Sequence, residues 1–385
     1  MVRFQWQKAP DPVRPLLNCD PLLMPSRRIL LPLLVLALLA ADHSYPTRRR
    51  LNAAEAEAPA GLGTFQPVAI TPAGQKSIDK GMKWLLGAMR QDGKIGADEN
   101  YPPDLSCTAM LGLALLAEGN TPYGGSHAEE LRRVLEAVLS MADALPSGPR
   151  RQGRTTLVQH KIGLNADRFL AAIFLSEILG ETGDADGDVR RTLERLVDDI
   201  SDTQGADGTW GDESWAPVLG TVLGWESLRN SASCGMKVDA SAELVGQALL
   251  KKLRLKLKSH EGWMHDFYKN ASSIRVLYSM GYRDDPLYKE SLERTIFTAQ
   301  KDERPFKEAG GEEYLAFFLV SECLLQSPGG EGTAWYPLVS EGLMKVQNPD
   351  GSWTGHHCIT NRTFCTAAAL LTLMTPNYCL SISNL

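Results

Sequence analysis

Apolar positions fall in long blocks along most of the chain, separated by short polar turns that carry Asp-Gly. The closing block is the plainest. Thr333 to Val346 has Trp335, Leu338, Leu343 and Met344 at helical spacing, which predicts a helix with one polar face. The turn Asn348-Pro349-Asp350-Gly351 follows, where proline fixes φ and glycine accepts positive φ, so no helix continues through it. Phe364 to Met374 then reads as a second helix, capped by Asn361 or Thr363 and apolar almost all round, hence buried on every side.

This unit of one amphipathic helix, a turn and one buried helix recurs. Gln204-Gly205-Ala206-Asp207-Gly208-Thr209-Trp210 is nearly the same turn as Gln347 to Trp353, with Gln204, Asp207, Gly208 and Trp210 matching Gln347, Asp350, Gly351 and Trp353. His260-Glu261-Gly262-Trp263 is a shorter version, ahead of a buried helix expected over Ala271 to Met280. Gln91-Asp92-Gly93-Lys94-Ile95-Gly96 and Gln159-His160-Lys161-Ile162-Gly163 put isoleucine where the tryptophan stands, and Asp302 to Phe306 is the most degenerate copy. Aligned on Ile95, Ile162, Trp210, Trp263, Phe306 and Trp353, the copies recur at about 45 residues, with one longer step holding the insertion Pro146 to Arg154. Six helix pairs then use the whole chain from about residue 71. That predicts an all-α, single-domain (α/α)6 toroid over residues 71–385.

Residues 1–41 lie outside the repeat. Arg27-Arg28, a thirteen-residue uncharged run from Ile29 to Ala41 and small residues at its end read as a secretory signal, with Met24 as the expected start. The run is short for a membrane span, which needs about 20 residues, so no transmembrane segment is expected beyond it. Residues 42–70 read as a flexible lead-in rich in Ala, Glu and Pro. Export to the periplasm, the cell surface or the medium follows. Residues 1–41 hold five basic and two acidic groups, so the formal charge of −6 becomes −9 without them. A body this acidic excludes nucleic acid as the expected partner.

Seven cysteines fall to six without Cys19, with no dense spacing of the disulfide-scaffold kind. Cys107-Thr108-Ala109 and Cys365-Thr366-Ala367 open the first and sixth buried helices, so the two thiols lie together if the ring closes. His356-His357-Cys358 is the only dense run of nitrogen and sulfur ligands, a metal candidate set beside a solvated-loop reading. No cofactor is expected.

The turn sequences resemble the QW repeat of the prenyltransferase and squalene-oxidosqualene cyclase superfamily, best in Lys345 to Trp353, well in Gln204 to Trp210 and partly in Lys80 to Gly93. The resemblance implies two concentric rings of helices with the starts of the inner helices around a central cavity. It further implies that Gln204 and Gln347 tie a turn to a neighbouring helix end and that Trp210, Trp263 and Trp353 wedge between units. The catalytic sets of that superfamily are missing: there is no Asp-x-Asp-Asp, and Asp104-Leu105-Ser106-Cys107 has one residue too many for the zinc-binding Asp-x-Cys pair. An apolar or isoprenoid-like molecule, or a partner segment, held in the central cavity is therefore the leading expectation, with the oligomeric state open.

The rival expectation is an enzyme, either cyclase- or prenyltransferase-like or a carbohydrate-active hydrolase or lyase. Its candidate residues are the carboxylates expected at the starts of the buried helices: Asp104, Asp167, Asp212, Glu213, Asp266, Glu312 and Glu313. Helix starts favour carboxylates through capping and the macrodipole, so these residues have a purely structural reading as well. In a toroid they also ring one mouth, where an acidic rim could work as paired acid and base.

Overall fold

The computed structural model describes residues 68–97, 101–148, 156–182, 187–210, 214–255, 262–327 and 329–380. The expected signal segment and nearly all of the expected lead-in therefore lie outside the described residues, as do Asp212, Glu213 and most of the basic insertion ending at Arg154. In chain order the helices are α1 (Pro72–Ala88), α2 (Leu105–Ala117), α3 (Ala128–Asp143), α4 (Leu157–Ile162), α5 (Ala166–Thr182), α6 (Asp188–Asp202) and α7 (Pro217–Ser233). They continue with α8 (Asp239–Arg254), α9 (Gly262–Ser279), α10 (Pro286–Lys301), α11 (Arg304–Lys307), α12 (Gly311–Leu325), α13 (Glu331–Lys345) and α14 (Arg362–Met374). No strand is present among the described residues, and none of their helices is long and apolar enough to cross a membrane.

Six of these helices form a closed inner ring: α2 packs on α5, α5 on α7, α7 on α9, α9 on α12, α12 on α14, and α14 on α2. The outer ring is α1, α3, α6, α8, α10 and α13, each packed on an inner helix. The architecture is the (α/α)6 toroid that the repeat predicts. Composition sorts the two layers. Every residue of α2 and of α12 is buried, because their sequences have no polar face to give to water. By contrast α6 buries Val189, Leu193, Leu196, Val197 and Ile200 on one stripe and leaves its charges outside.

The Asp-Gly turns lock neighbouring units together. Gly93, Gly208 and Gly351 all have positive φ. Their backbones press so closely on the next outer helix that an added Cβ would lie 2.2 Å from the Arg133 carbonyl oxygen in α3, 2.5 Å from that of Leu244 in α8, and 2.5 Å from that of Lys80 in α1. No larger residue fits there. The last of these contacts joins the sixth unit to the first, so the same turn that links units also shuts the ring.

The glutamine and tryptophan of these turns take up local backbone groups. Gln347 donates to the carbonyls of Ser77 in α1 and Gly351, and Gln204 donates to those of Ser241 in α8 and Gly208. Trp353 and Trp210 each donate from Nε1 to a carbonyl of the preceding outer helix, Leu343 at 2.9 Å and Ile200 at 2.7 Å.

Helix α9 departs from the sequence reading. It begins at Gly262, so Gly262 and Trp263 lie in its first turn and not in a turn before it. Asp266 is consequently carried inside the helix, exposed, and does not mark its start. The glycine there lacks a preceding Asp and Pro, and nothing in the local sequence stops the helix from extending back over it.

Candidate functional site

The inner helices run in parallel, and their first turns meet at one end of the ring. Asp104 caps α2, accepting from the backbone N–H groups of Ser106 and Cys107 at 2.7 and 3.3 Å. Its Oδ2 is buried with no hydrogen-bond partner. Burial holds its carboxyl above the usual range against those two N–H bonds, and the charge of Asp167 adds to the rise. Asp167, in the first turn of α5, accepts from its neighbour Arg168 N–H at 2.8 Å and from Gln159 Nε2 at 3.3 Å. Asn361 caps α14 and reaches across to Cys107 Sγ of α2 at 3.0 Å.

The densest chemistry lies at the start of α12. Gly310 is its N-cap, and the Glu313 carboxylate accepts from the Gly310 N–H at 2.8 Å, the reciprocal half of a capping box. Loop residues 354–360 pair with the approach to this helix: His356 N–H donates to Ala309 O at 2.8 Å, and Gly311 N–H to Ile359 O at 2.9 Å. That pairing lays His357 over both glutamates. Its Nδ1 lies 3.1 Å from Glu312 Oε1 and its Nε2 3.2 Å from Glu313 Oε2.

Lys161, at the end of α4, completes the cluster. Its Nζ sits 3.0 Å from Glu312 Oε1, 3.4 Å from Cys358 Sγ and 5.4 Å from the centre of the Tyr268 ring. The Glu312 and Glu313 side chains are 0% exposed, Lys161 is 5% and His357 22%. Cys358 stands in the left-handed region at φ 46°, an unusual backbone for a residue other than glycine.

The two neighbouring glutamates are driven apart. Burial pushes the Glu312 carboxyl up, but His357 and the ammonium of Lys161 outweigh it and hold it below its ordinary range. Burial also pushes Glu313 up, and there the adjacent Glu312 charge reinforces it, so Glu313 stays above its ordinary range despite His357. Glu312 and Glu313 together push His357 up to about 11, making it an imidazolium at any physiological pH. The surroundings thus move the two neighbouring carboxyls in opposite directions from their ordinary range.

These positions correct two expectations. The described helix-start carboxylates do not form a solvent-facing acidic rim, since Asp104, Asp167, Glu312 and Glu313 are all buried, taken up by capping bonds and ion pairs. The metal candidates are also regrouped. His356 is exposed, while His357 and Cys358 join Glu312, with one donor atom from each lying within 4.8 Å of the others. Lys161 Nζ stands against two of those three donors and already supplies the positive charge there.

Sequence reading missed Lys161 and Tyr268. Lys161 stood in the Lys-Ile-Gly copy of the repeat, but neither repeat nor composition shows a lysine side chain turning into the ring. A second buried cluster was missed as well. It lies nine to thirteen residues into the inner helices, about 15 Å further along the axis. Arg275 of α9 grips Glu226 of α7 through two hydrogen bonds at 2.7 and 2.8 Å and lies 3.5 Å from Glu322 of α12. Burial pushes Glu226 up, but Arg229 and Arg275 bring it down to about 2, whereas burial sends Glu322 up to about 8.

No family model matches the chain, and no curated protein matches it in sequence. The finer likeness to cyclase and prenyltransferase repeats therefore has no support from relatives. Solved structures do match. The GH76A alpha-1,6-mannanase of Salegentibacter sp. HEL1_6 superposes with a TM-score of 0.52 at 11% identity, over 80% of this chain and 99% of that one. Two inactive variants of that enzyme, in which two consecutive aspartates are replaced by asparagine or by alanine, match equally at 0.52 and 11%; they hold alpha-1,6-mannotriose and alpha-1,6-mannotetrose. At this identity the likeness establishes the fold alone, an α/α toroid.

Proposed function

We propose that this protein is a carbohydrate-active hydrolase whose reacting groups are Glu312 and Glu313. One observation carries the reading: two consecutive carboxyls at the start of an inner helix, both 0% exposed, share one imidazole at 3.1 and 3.2 Å, and their surroundings move their pKa values in opposite directions. Glycoside hydrolysis needs that pair, an acid to protonate the leaving oxygen and a carboxylate to activate water or attack the sugar. Glu313, raised above its ordinary range, is assigned as the acid; Glu312, held below its range by His357 and Lys161, is the base or nucleophile. Lys161, itself packed over the Tyr268 ring, holds Glu312, and the His357 loop covers both groups and excludes water. A sugar reaches them by displacing His357, whose contacts to the carboxylates are close ion pairs without aligned hydrogen bonds.

The neighbouring mannanase supports this reading, since it is inactivated by replacing two consecutive acidic residues in a toroid of the same class. Its substrate type is the first to try. The leader over residues 24–41 fits the same proposal, because a secreted hydrolase meets its polysaccharide outside the cell. Packing of the inner helices on all sides favours this reading over an apolar ligand held along the axis.

The test is release of reducing ends from alpha-1,6-mannan and a panel of other neutral polysaccharides by the purified protein. Glu313→Gln and Glu312→Gln are each expected to lower the rate by about 10²–10⁴-fold, the usual span for general acid–base groups. Parental rates in both variants, or no release from any glycan by the parent, would overturn it.

A further inference from the structure

Beside the glutamate cluster, the segment ahead of α7 is stitched to the end of α4. Trp215 N–H donates to His160 O at 3.3 Å, and Ala216 N–H donates to Lys161 O at 2.8 Å. Ser214 and Ala216 are buried on either side of Trp215, so its backbone is fixed. The indole itself is 53% exposed and lies stacked on the His160 ring, 5.9 Å between centroids at 28°. Trp335 and Trp353, by contrast, are fully buried. Trp215 is instead left half in water on an aromatic-backed mount.

We propose that Trp215, backed by His160, is a stacking platform for one neutral hexopyranose unit of the glycan, a subsite beside the Glu312–Glu313 pair. The proposal rests on the hydrolase reading above. Three features favour a sugar. A pyranose presents an apolar C–H face that suits an indole face, with hydroxyls at its edge that stay in water, the amphipathic match that exposed aromatics make. The backbone of the platform is hydrogen-bonded to Lys161 through Ala216, and the Lys161 side chain ends on Glu312, which sets the platform in the neighbourhood of the carboxyls. Among the described residues beside the platform, Lys161 is committed to Glu312 at 3.0 Å. A uronic acid seated there would bring a further anion beside the buried Glu312 and Glu313, which favours a neutral sugar.

The experiment uses the full chain carrying Glu313→Gln, titrated with alpha-1,6-linked mannotetraose and, separately, with tetragalacturonate, binding being read by calorimetry and tryptophan emission. Mannotetraose is expected to bind and shift the emission. Adding Trp215→Ala is expected to weaken binding at least fivefold with unchanged melting temperature, and Trp215→Phe to keep most of the affinity. Tetragalacturonate is expected to bind at least tenfold more weakly. Equal mannotetraose affinity with and without the indole overturns the platform, even where cleavage still depends on Glu313, in which case the hydrolase reading stands alone. Equal binding of the uronate overturns the neutral-sugar assignment. Binding that needs Trp215 in a protein whose cleavage ignores Glu312 and Glu313 overturns the hydrolase reading instead, and no binding of either sugar overturns both.

Discussion

Trp353 closes the ring, and removing it should be among the costliest single changes in the protein. Its side chain is 0% exposed, its Nε1–H donates to Leu343 O at 2.9 Å, and its backbone N–H donates to Thr366 Oγ1. Truncating a buried tryptophan to alanine costs about 3–5 kcal/mol. With unfolding entropy of about 2.1 cal/mol/K per residue over roughly 310 ordered residues, 4 kcal/mol lowers the melting temperature by about 6 °C. The partner of this ring is Gly81 of α1, where an added Cβ would fall 2.8 Å from Trp353 Cζ3 and 2.9 Å from Leu370 Cδ2. Gly81→Ala should thus cost about 1–3 kcal/mol by overpacking, although alanine is the better helix former by about 1 kcal/mol. In the Trp353→Ala background one of the two clashes is gone, so the same Gly81→Ala change should cost at least 1 kcal/mol less, or stabilise. Urea melts of the four proteins in this cycle measure the coupling. Additivity within about 0.5 kcal/mol would mean that the two residues do not meet. Trp210→Ala is the internal control: that ring is only partly buried, against Gly224 and edge-on to Phe169 at 5.0 Å, and should cost less than Trp353→Ala. An equal or larger cost would contradict the packing.

Two further outcomes follow from the buried polar groups. Glu322, pushed up to about 8, keeps its proton in the folded protein while the unfolded chain loses it, so its contribution falls as pH rises from about 4.5 to 8. Glu322→Gln should flatten that fall between pH 5 and 8 in urea midpoints, and an unchanged slope would refute the assignment. Glu226, brought down to about 2, acts oppositely: its contribution is present above about 4.5 and is lost as pH falls toward 2. Glu226→Gln leaves Arg275 buried without its carboxylate and should cost about 3–5 kcal/mol at pH 7. Cys107 and Cys365 are both 0% exposed, and burial pushes both thiols well above their ordinary range. A thiol reagent at pH 8 should leave both unmodified in the native protein and label them in denaturant; rapid native labelling would show that the seam between α14 and α2 is open.

Much of the architecture was legible because it is local. Helical period, an all-apolar helix, and Asp-Gly after an amphipathic helix are set by dihedral preferences and by burial within one unit, and each can be read from a few neighbouring residues. Repetition of that unit implies stacking, and six copies with small residues at Gly81, Gly112 and Gly351 make a ring that closes. The chemistry was not legible in the same way. Glu312 and Glu313 were visible as carboxylates, but the opposite directions in which their pKa values move depend on His357 and Lys161, brought there by loop 354–360 and the end of α4. His357 and not His356 faces the glutamates because loop 354–360 pairs with residues 309–311, a register fixed by Ala309 and Ile359. Asp266 looked like a helix-start acid only until α9 proved to begin at Gly262. Sequence alone determined the helices, the turns and the repeat, since those answer to forces acting within a few residues. Protonation, exposure and the meeting of Lys161 with Glu312 were decided by tertiary structure, because the curvature of the ring sets which turns face one another, and with them the local charge and the access of water.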